Sequence, residues 1–126
     1  MKVRDLMSYP IATVRPEATV LDAIKRMANE KNGCVLVARD GLLKECRGIV
    51  TTSQIFLKVF SEGQDPATIA VTEIMTPGPL VTIDLDASTR EAARLMREHK
   101  IKRLPVMKDG ALVGIITSKE LLSCVV

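Results

Sequence analysis

Residues 48–56 read GIVTTSQIF and residues 114–122 read GIITSKELL. Two nearly identical phrases in so short a chain raise the question of an internal repeat, and missing one would misread the whole fold. The likeness extends outward from both copies. VRDLM at 3–7 answers VTEIM at 71–75, ATVLDAIKRM at 18–27 answers ASTREAARLM at 87–96, and VLVARDG at 35–41 answers LPVMKDG at 104–110. The offset is 68 at Met7/Met75, 69 at Met27/Met96 and 66 at Thr51/Thr117. These length changes fall around Gly78–Pro79 and between Gly41 and Gly48, at points where loops absorb insertions. The chain is read as one unit written twice, with repeat one over 1–62 and repeat two, with its linker, over 63–126.

Each repeat opens with a short apolar segment ending in Met, then a turn, SYP at 8–10 or TPGP at 76–79. The β-type residues IATV and LVTI follow. Thr19-x-x-Asp22 and Ser88-x-x-Glu91 mark helix starts, the second with the signature of a capping box. Val20, Ala23, Ile24, Met27 and Ala28 recur at helical spacing, as do Ala92, Ala93 and Met96, and the two methionines read as core. The strands CVLVA and RLPVM come next, then Asp40-Gly41 or Asp109-Gly110, a hairpin turn between apolar runs. A second strand ends in GIVT or GIIT and passes into a helix, which in repeat one runs through IFLKVF to the breaker SEGQDP. The order per repeat is β-α-β-β-α. Either repeat alone would bury too little surface, so the two are expected to form one compact module.

The bulk composition narrows the function classes. At 126 residues the chain is one small domain, with 47% apolar and 26% charged residues. No run approaches the ~18 apolar residues of a membrane span, and MKVRDLMSYP lacks the apolar stretch of a signal peptide. A cytoplasmic protein without membrane contact is expected. Opposite charges are interspersed around a net +3, and aromatics are 2% with no Trp. That is poor material for stacking bases, so nucleic-acid binding is disfavoured. Cys34, Cys46 and Cys124 lie far apart, and His99 is the sole histidine. This fits no structural zinc pattern, and no metal is expected. Cys34 in its apolar strand reads as a small buried hydrophobe. No P-loop or G-x-G-x-x-G is present, and His99 has no Ser or Cys partner pattern, so catalytic residues are not expected.

The repeated phrase carries the site question. Thr51–Gln54 and Thr117–Glu120 each lie where a strand becomes a helix. Free N–H groups and the positive dipole end there suit a phosphate. A hydroxyl at the turn can bond phosphate or sugar, and a carboxylate one turn on can accept from both hydroxyls of a ribose. The same S/T-x-x-E/Q spacing is a capping box that satisfies its own helix start with no ligand. Spacing leaves both readings open.

The two repeats resemble a tandem pair of CBS motifs, a Bateman module, over about Val3 to Leu122. The resemblance rests on V-x-D/E-h-M, the A/S-T turn before the helix, h-P-V with D-G, and G-h-h-T-x-x-[acid]-h. It implies a pseudo-twofold α/β (α+β) module packed through its sheets. It also implies clefts between the repeats that bind adenosine-containing ligands: AMP, ADP, ATP or S-adenosylmethionine. In the family the Thr and the Asp three residues on contact phosphate and ribose, which corresponds here to Thr117 with Glu120 and Thr51 with Gln54. Neither repeat has the Asp. Glu120 keeps the charge with one more methylene, whereas Gln54 has lost it, so repeat two is the favoured site.

Lys102 and Arg103 point the same way, because in some nucleotide-binding members basic residues here reach phosphates, and Arg offers a forked donor. Lys119 is a further phosphate candidate, against a plain exposed helix position. Repeat one has Gly33 and Cys34 at the Lys102–Arg103 positions. The adenine walls expected from the resemblance are Val81, Leu104 and Pro105 in one cleft, and Thr13, Cys34 and Val35 in the other. The leading expectation is a regulatory ligand sensor that performs no chemistry and has no cofactor beyond its regulatory ligand. The alternative is an assembly module with vestigial clefts, motivated by Gln54, Glu120 and the apolar end LLSCVV. A homodimer is expected on resemblance, and the module is expected to act either on a protein partner in trans or as a small sensor.

Overall fold

The helix-start residues act as their spacing requires, with one exchange of roles. In the computed structural model, which describes residues 1–29, 33–39 and 43–123, helix α1 spans Val20–Met27. The Thr19 hydroxyl accepts from the Asp22 N–H at 3.1 Å, and the Asp22 carboxylate accepts from the Thr19 N–H at 2.9 Å. This is the reciprocal box. Helix α3, Thr89–His99, has only the first half: the Ser88 hydroxyl accepts from the Glu91 N–H at 3.1 Å. The Glu91 carboxylate turns instead to the Arg94 guanidinium, whose Nε lies 2.9 Å away. The complete box therefore forms at the first helix and not at the second, because Arg94 three residues on outcompetes a lone backbone N–H for the carboxylate. Lys100 ends α3 in the left-handed region at φ 55, and the Ile101 N–H closes back on the Met96 carbonyl at 3.0 Å.

Strands β1 (Thr13–Val14), β2 (Cys34–Ala38), β3 (Cys46–Thr51) and β4 (Thr76–Pro77) form one sheet in that order. Strands β5 (Ile83–Asp84), β6 (Arg103–Lys108) and β7 (Ala111–Thr117) form another. In each sheet the first pair is parallel and the next an antiparallel hairpin. The hairpins carry a register shift at corresponding places, Val37/Ala38 and Val106/Met107. Asp109 and Gly110 both take positive φ, 50 and 82, as a tight D-G turn needs. The Asp40-Gly41 turn, Cys124 and the last residues of LLSCVV lie outside the described residues.

Each sheet ends in a short helix. Helix α2, Thr52–Ile55, continues as a π turn over Phe56–Phe60, and α4 spans Ser118–Ser123. The β-α-β-β-α order thus recurs in both repeats. Among the described residues no helix is long and apolar enough to cross a membrane.

Packing divides the chain differently from the sequence repeat. One compact unit is Ala12–Pro79, and the other joins Met1–Ile11 to Leu80–Val126. In the first, Val20, Ala23 and Met27 of α1 pack with Val35, Val37, Val50, Ile69, Val71 and Ile74. In the second, Ala92 and Met96 of α3 pack with Val3, Ile83, Leu104, Val106 and Ile116. The methionines are core, and so is Cys34, which is 2% exposed.

The segment leading repeat one therefore docks on the sheet of repeat two. The Val3 N–H bonds the Ala87 carbonyl at 2.8 Å, and Ser8 exchanges two backbone bonds with Ile115, at 2.8 and 3.0 Å. In the other unit the Val71 N–H bonds the Ala18 carbonyl at 2.9 Å, and β4 pairs with β3. The glycine that opens each repeated phrase makes room for this leader. A Cβ on Gly114 would stand 2.7 Å from the Ser8 carbonyl oxygen and 2.9 Å from Met7 Sδ. A Cβ on Gly48 would strike the Thr76 carbonyl and lie 2.8 Å from Met75 Sδ.

Candidate ligand site

The turn from β7 into α4 is built as a capping box. The Thr117 hydroxyl accepts from the Glu120 N–H at 3.3 Å, and Glu120 Oε1 accepts from the Thr117 N–H at 2.9 Å. The β3–α2 turn repeats it, with Thr51 accepting at 3.3 Å and Gln54 Oε1 accepting at 2.8 Å. Capping is thus realised in both repeats. With α4 only six residues long, it lacks the aligned peptides that make a strong dipole, so its turn acts through side chains.

Sheet register assembles the rest. Arg103 is paired directly with Thr117 across β6 and β7. The Ser118 N–H donates to the Lys102 carbonyl at 2.9 Å. The backbone thus clamps the Lys102–Arg103 step to the Thr117–Glu120 turn. Lys102 and Lys119 are exposed, and Arg103, Thr117 and Glu120 are half-buried. The same clamp stands in the other unit, where Cys34 pairs with Thr51 and the Thr52 N–H donates to the Gly33 carbonyl at 3.0 Å. There the two clamped positions carry no cation.

The expected wall residues divide by exposure. Leu104 and Val35 have 0% and 1% of their surface exposed and belong to the two cores. Pro105 is buried, whereas Val81 and Thr13 are half-buried.

Sequence reading missed one residue in each unit. The Ser8 hydroxyl donates to Glu120 Oε2 at 2.6 Å, and Gln54 Nε2 donates to the Thr76 hydroxyl. Both follow the leader methionine, Met7-Ser8 and Met75-Thr76. That shared hydroxyl was the available signal.

Other chemistry is thin. Among the described residues no group of three His, Cys, Asp or Glu could hold a metal ion. The half-buried Cys46 thiol donates to the Gly48 carbonyl at 3.7 Å, and burial pushes its pKa up, which disfavours the reactive thiolate.

Residues 3–61 and 71–126 each match the CBS domain. The chain belongs to the CBS domain family. It is 34% identical over 119 residues to the CBS domain-containing protein YhcV of Bacillus subtilis, covering 94% of this chain and 81% of that one. Two further curated relatives are longer, and the chain spans 61% and 53% of them. Among solved structures, the hexameric CBS-CP12 protein from bloom-forming cyanobacteria is 33% identical, with a TM-score of 0.84 over 98% of this chain and 71% of that one. The CBS domain pair of protein MJ0100, solved with methylthioadenosine and S-adenosyl-L-methionine, is 24% identical with a TM-score of 0.82, covering 99% and 95%. That last likeness speaks to fold alone. As a CBS pair, the chain is a regulatory module and not a catalyst.

Proposed function

We propose that this CBS pair senses an adenosine-containing ligand, AMP, ADP, ATP or S-adenosylmethionine, at the unit that holds Thr117 and Glu120. One observation carries the reading. The register of β6 against β7 sets Arg103 opposite Thr117, so two cations and an oriented carboxylate share one clamped turn. Lys102, Arg103 and Lys119 would meet phosphate or another anionic group, and Glu120 would accept from ribose hydroxyls. Val81, with the strand edge at Leu104 and Pro105, would border the base. The turn in the other unit, with Gln54, Gly33, Cys34 and Val35 and with Thr13 and Thr51, lacks both the carboxylate and the cations, and is the weaker site. A CBS pair of the same fold, MJ0100, was solved with methylthioadenosine and S-adenosyl-L-methionine, which is why adenosyl ligands are the ones to test. The reading implies a cytoplasmic protein, where such ligands are abundant.

Thermal shift followed by calorimetry with the four ligands tests this. A ligand at 100 times its Kd adds about 2.7 kcal/mol. The expected result is a selective rise that Glu120→Ala and Arg103→Gln abolish and Gln54→Ala leaves in place. Flat isotherms at millimolar ligand would sink the reading.

We also infer self-association as a homodimer. Both phenylalanines of the chain stand exposed on one π turn, Phe56 at 63% and Phe60 at 54%, beside Leu57 at 63%. An apolar triad of this kind is what an interface buries. Light scattering is expected to give twice the chain mass, reduced to one chain by Phe56→Ser with Phe60→Ser. A wild-type monomer at high concentration would rule it out.

A further inference from the structure

The same hydroxyl position is used with opposite polarity in the two units. A backbone N–H can only donate, so the oxygen of the Gln54 amide must face the Thr51 N–H, which it meets at 2.8 Å. The amide nitrogen then faces Thr76, whose hydroxyl must accept and keeps its own hydrogen free to donate elsewhere. In the other unit a carboxylate only accepts, so Ser8 must donate its hydrogen to Glu120 at 2.6 Å, leaving lone pairs outward. The Ser8 backbone is tied to Ile115 in both directions. Its hydroxyl is therefore delivered from a fixed point, and the half-buried Glu120 carboxylate is held at both oxygens, by Thr117 and by Ser8.

We propose that Ser8 is a positioning residue that makes the Glu120 turn a rigid, acceptor-only reader of a ligand diol, a role that Thr76 does not play for Gln54. This rests on the nucleotide reading and names its specificity device. Ser8 holds the longer Glu side chain in one plane, with the remaining lone pairs of both oxygens free for two adjacent hydroxyls. Without that second tether the carboxylate turns about its last bonds, and a rigid pair of acceptors becomes a mobile one. Thr76 cannot do the same for Gln54, because it receives a hydrogen there instead of supplying one.

Calorimetry with AMP and 2′-deoxy-AMP tests the proposal on the intact chain. Wild type is expected to prefer the ribonucleotide by roughly tenfold or more, the worth of a hydrogen bond to a charged group. Ser8→Ala should shrink that ratio several-fold, Ser8→Thr should restore it, and Thr76→Ala should leave it as in wild type. The ratio is the decisive readout, because a purely structural role would weaken both ligands alike. A preserved ratio in Ser8→Ala, or an equal loss in Thr76→Ala, would overturn the proposal and leave the sensor reading standing. AMP isotherms that are flat for wild type and all variants would overturn this proposal, and flat isotherms with all four ligands would overturn the sensor reading as well.

Discussion

Gly114 is a packing residue disguised as a turn residue. It lies within β7, and the Ser8 carbonyl stands where its Cβ would be. Because the obstacle is backbone, which is held by two hydrogen bonds to Ile115, Gly114→Ala cannot be relieved by a rotamer change. A loss of about 1–3 kcal/mol is expected, as for other overpacked sites, read as a lower denaturation midpoint. Gly48→Ala should act in the same way on the other unit. Thr19→Ala removes the acceptor half of the one complete box on a long helix, and should cost about 1 kcal/mol. Ser88→Ala offers a comparison, since its box is already half dismantled by Arg94. If the two alanines cost the same, the reciprocal bond at Asp22 does not strengthen the Thr19 half.

At the scale of elements, the leader segment is the feature that binds. Residues 1–8 bring Val3, which is fully buried, and backbone hydrogen bonds to Leu85, Ala87 and Ile115. Deleting them should destabilise that unit by several kcal/mol. Hydrogen exchange is the measurement: amides of β6 and β7 should lose protection well before those of β2 and β3. Equal losses in both hairpins would mean that the leader has no preferred unit.

Much of this level was legible. The D-G turn, the helical spacing of Val20, Ala23 and Met27, and the G-h-h-T phrase all encode local geometry in local residues. The exchange of leaders was not, because it depends on contacts between Val3 or Ser8 and residues such as Ala87, Ile115 and Glu120 in the other half of the chain. Its trace was the glycine shared by the two phrases, which looks like turn chemistry until the neighbouring chain is placed. Lys100 was opaque for a different reason: the left-handed cap usually announces itself with Gly or Asn. At the site, Thr117 and Glu120 could be read from spacing. Ser8 was marked only by the hydroxyl that follows Met in both repeats, which does not point to Glu120 as its partner.

For the whole molecule, acidic side chains tie the surface together. Arg4 hydrogen-bonds Asp86 and holds its carboxyl below the ordinary value, with Lys2 and Lys108 adding to the effect. Arg39 does the same for Glu17, the Thr19 backbone for Asp22 and Arg94 for Glu91. All four shifts are downward in the folded state. The unfolded chain then binds more protons in acid, so these contributions are full at neutral pH and fade as pH falls below about 4. The thermal midpoint should be flat from pH 7 to 5 and decline below that. Each pair is exposed, so added salt should blunt the decline. A midpoint that rose on acidification would contradict the assignment.

Synthesis gives the exchanged leaders a direction in time. Residues 1–11 leave the ribosome before the strands that receive them, Arg103–Lys108 and Ala111–Thr117, have been made. Ala12–Pro79 forms a compact unit with its own sheet and core, and is expected to close while the remainder is still being made. Until then the apolar leader waits unpaired at the head of a finished unit. The Leu80–Val126 unit is completed by residues made well before it, so a chain that stops short of it lacks more than its missing length: it also strands residues 1–11.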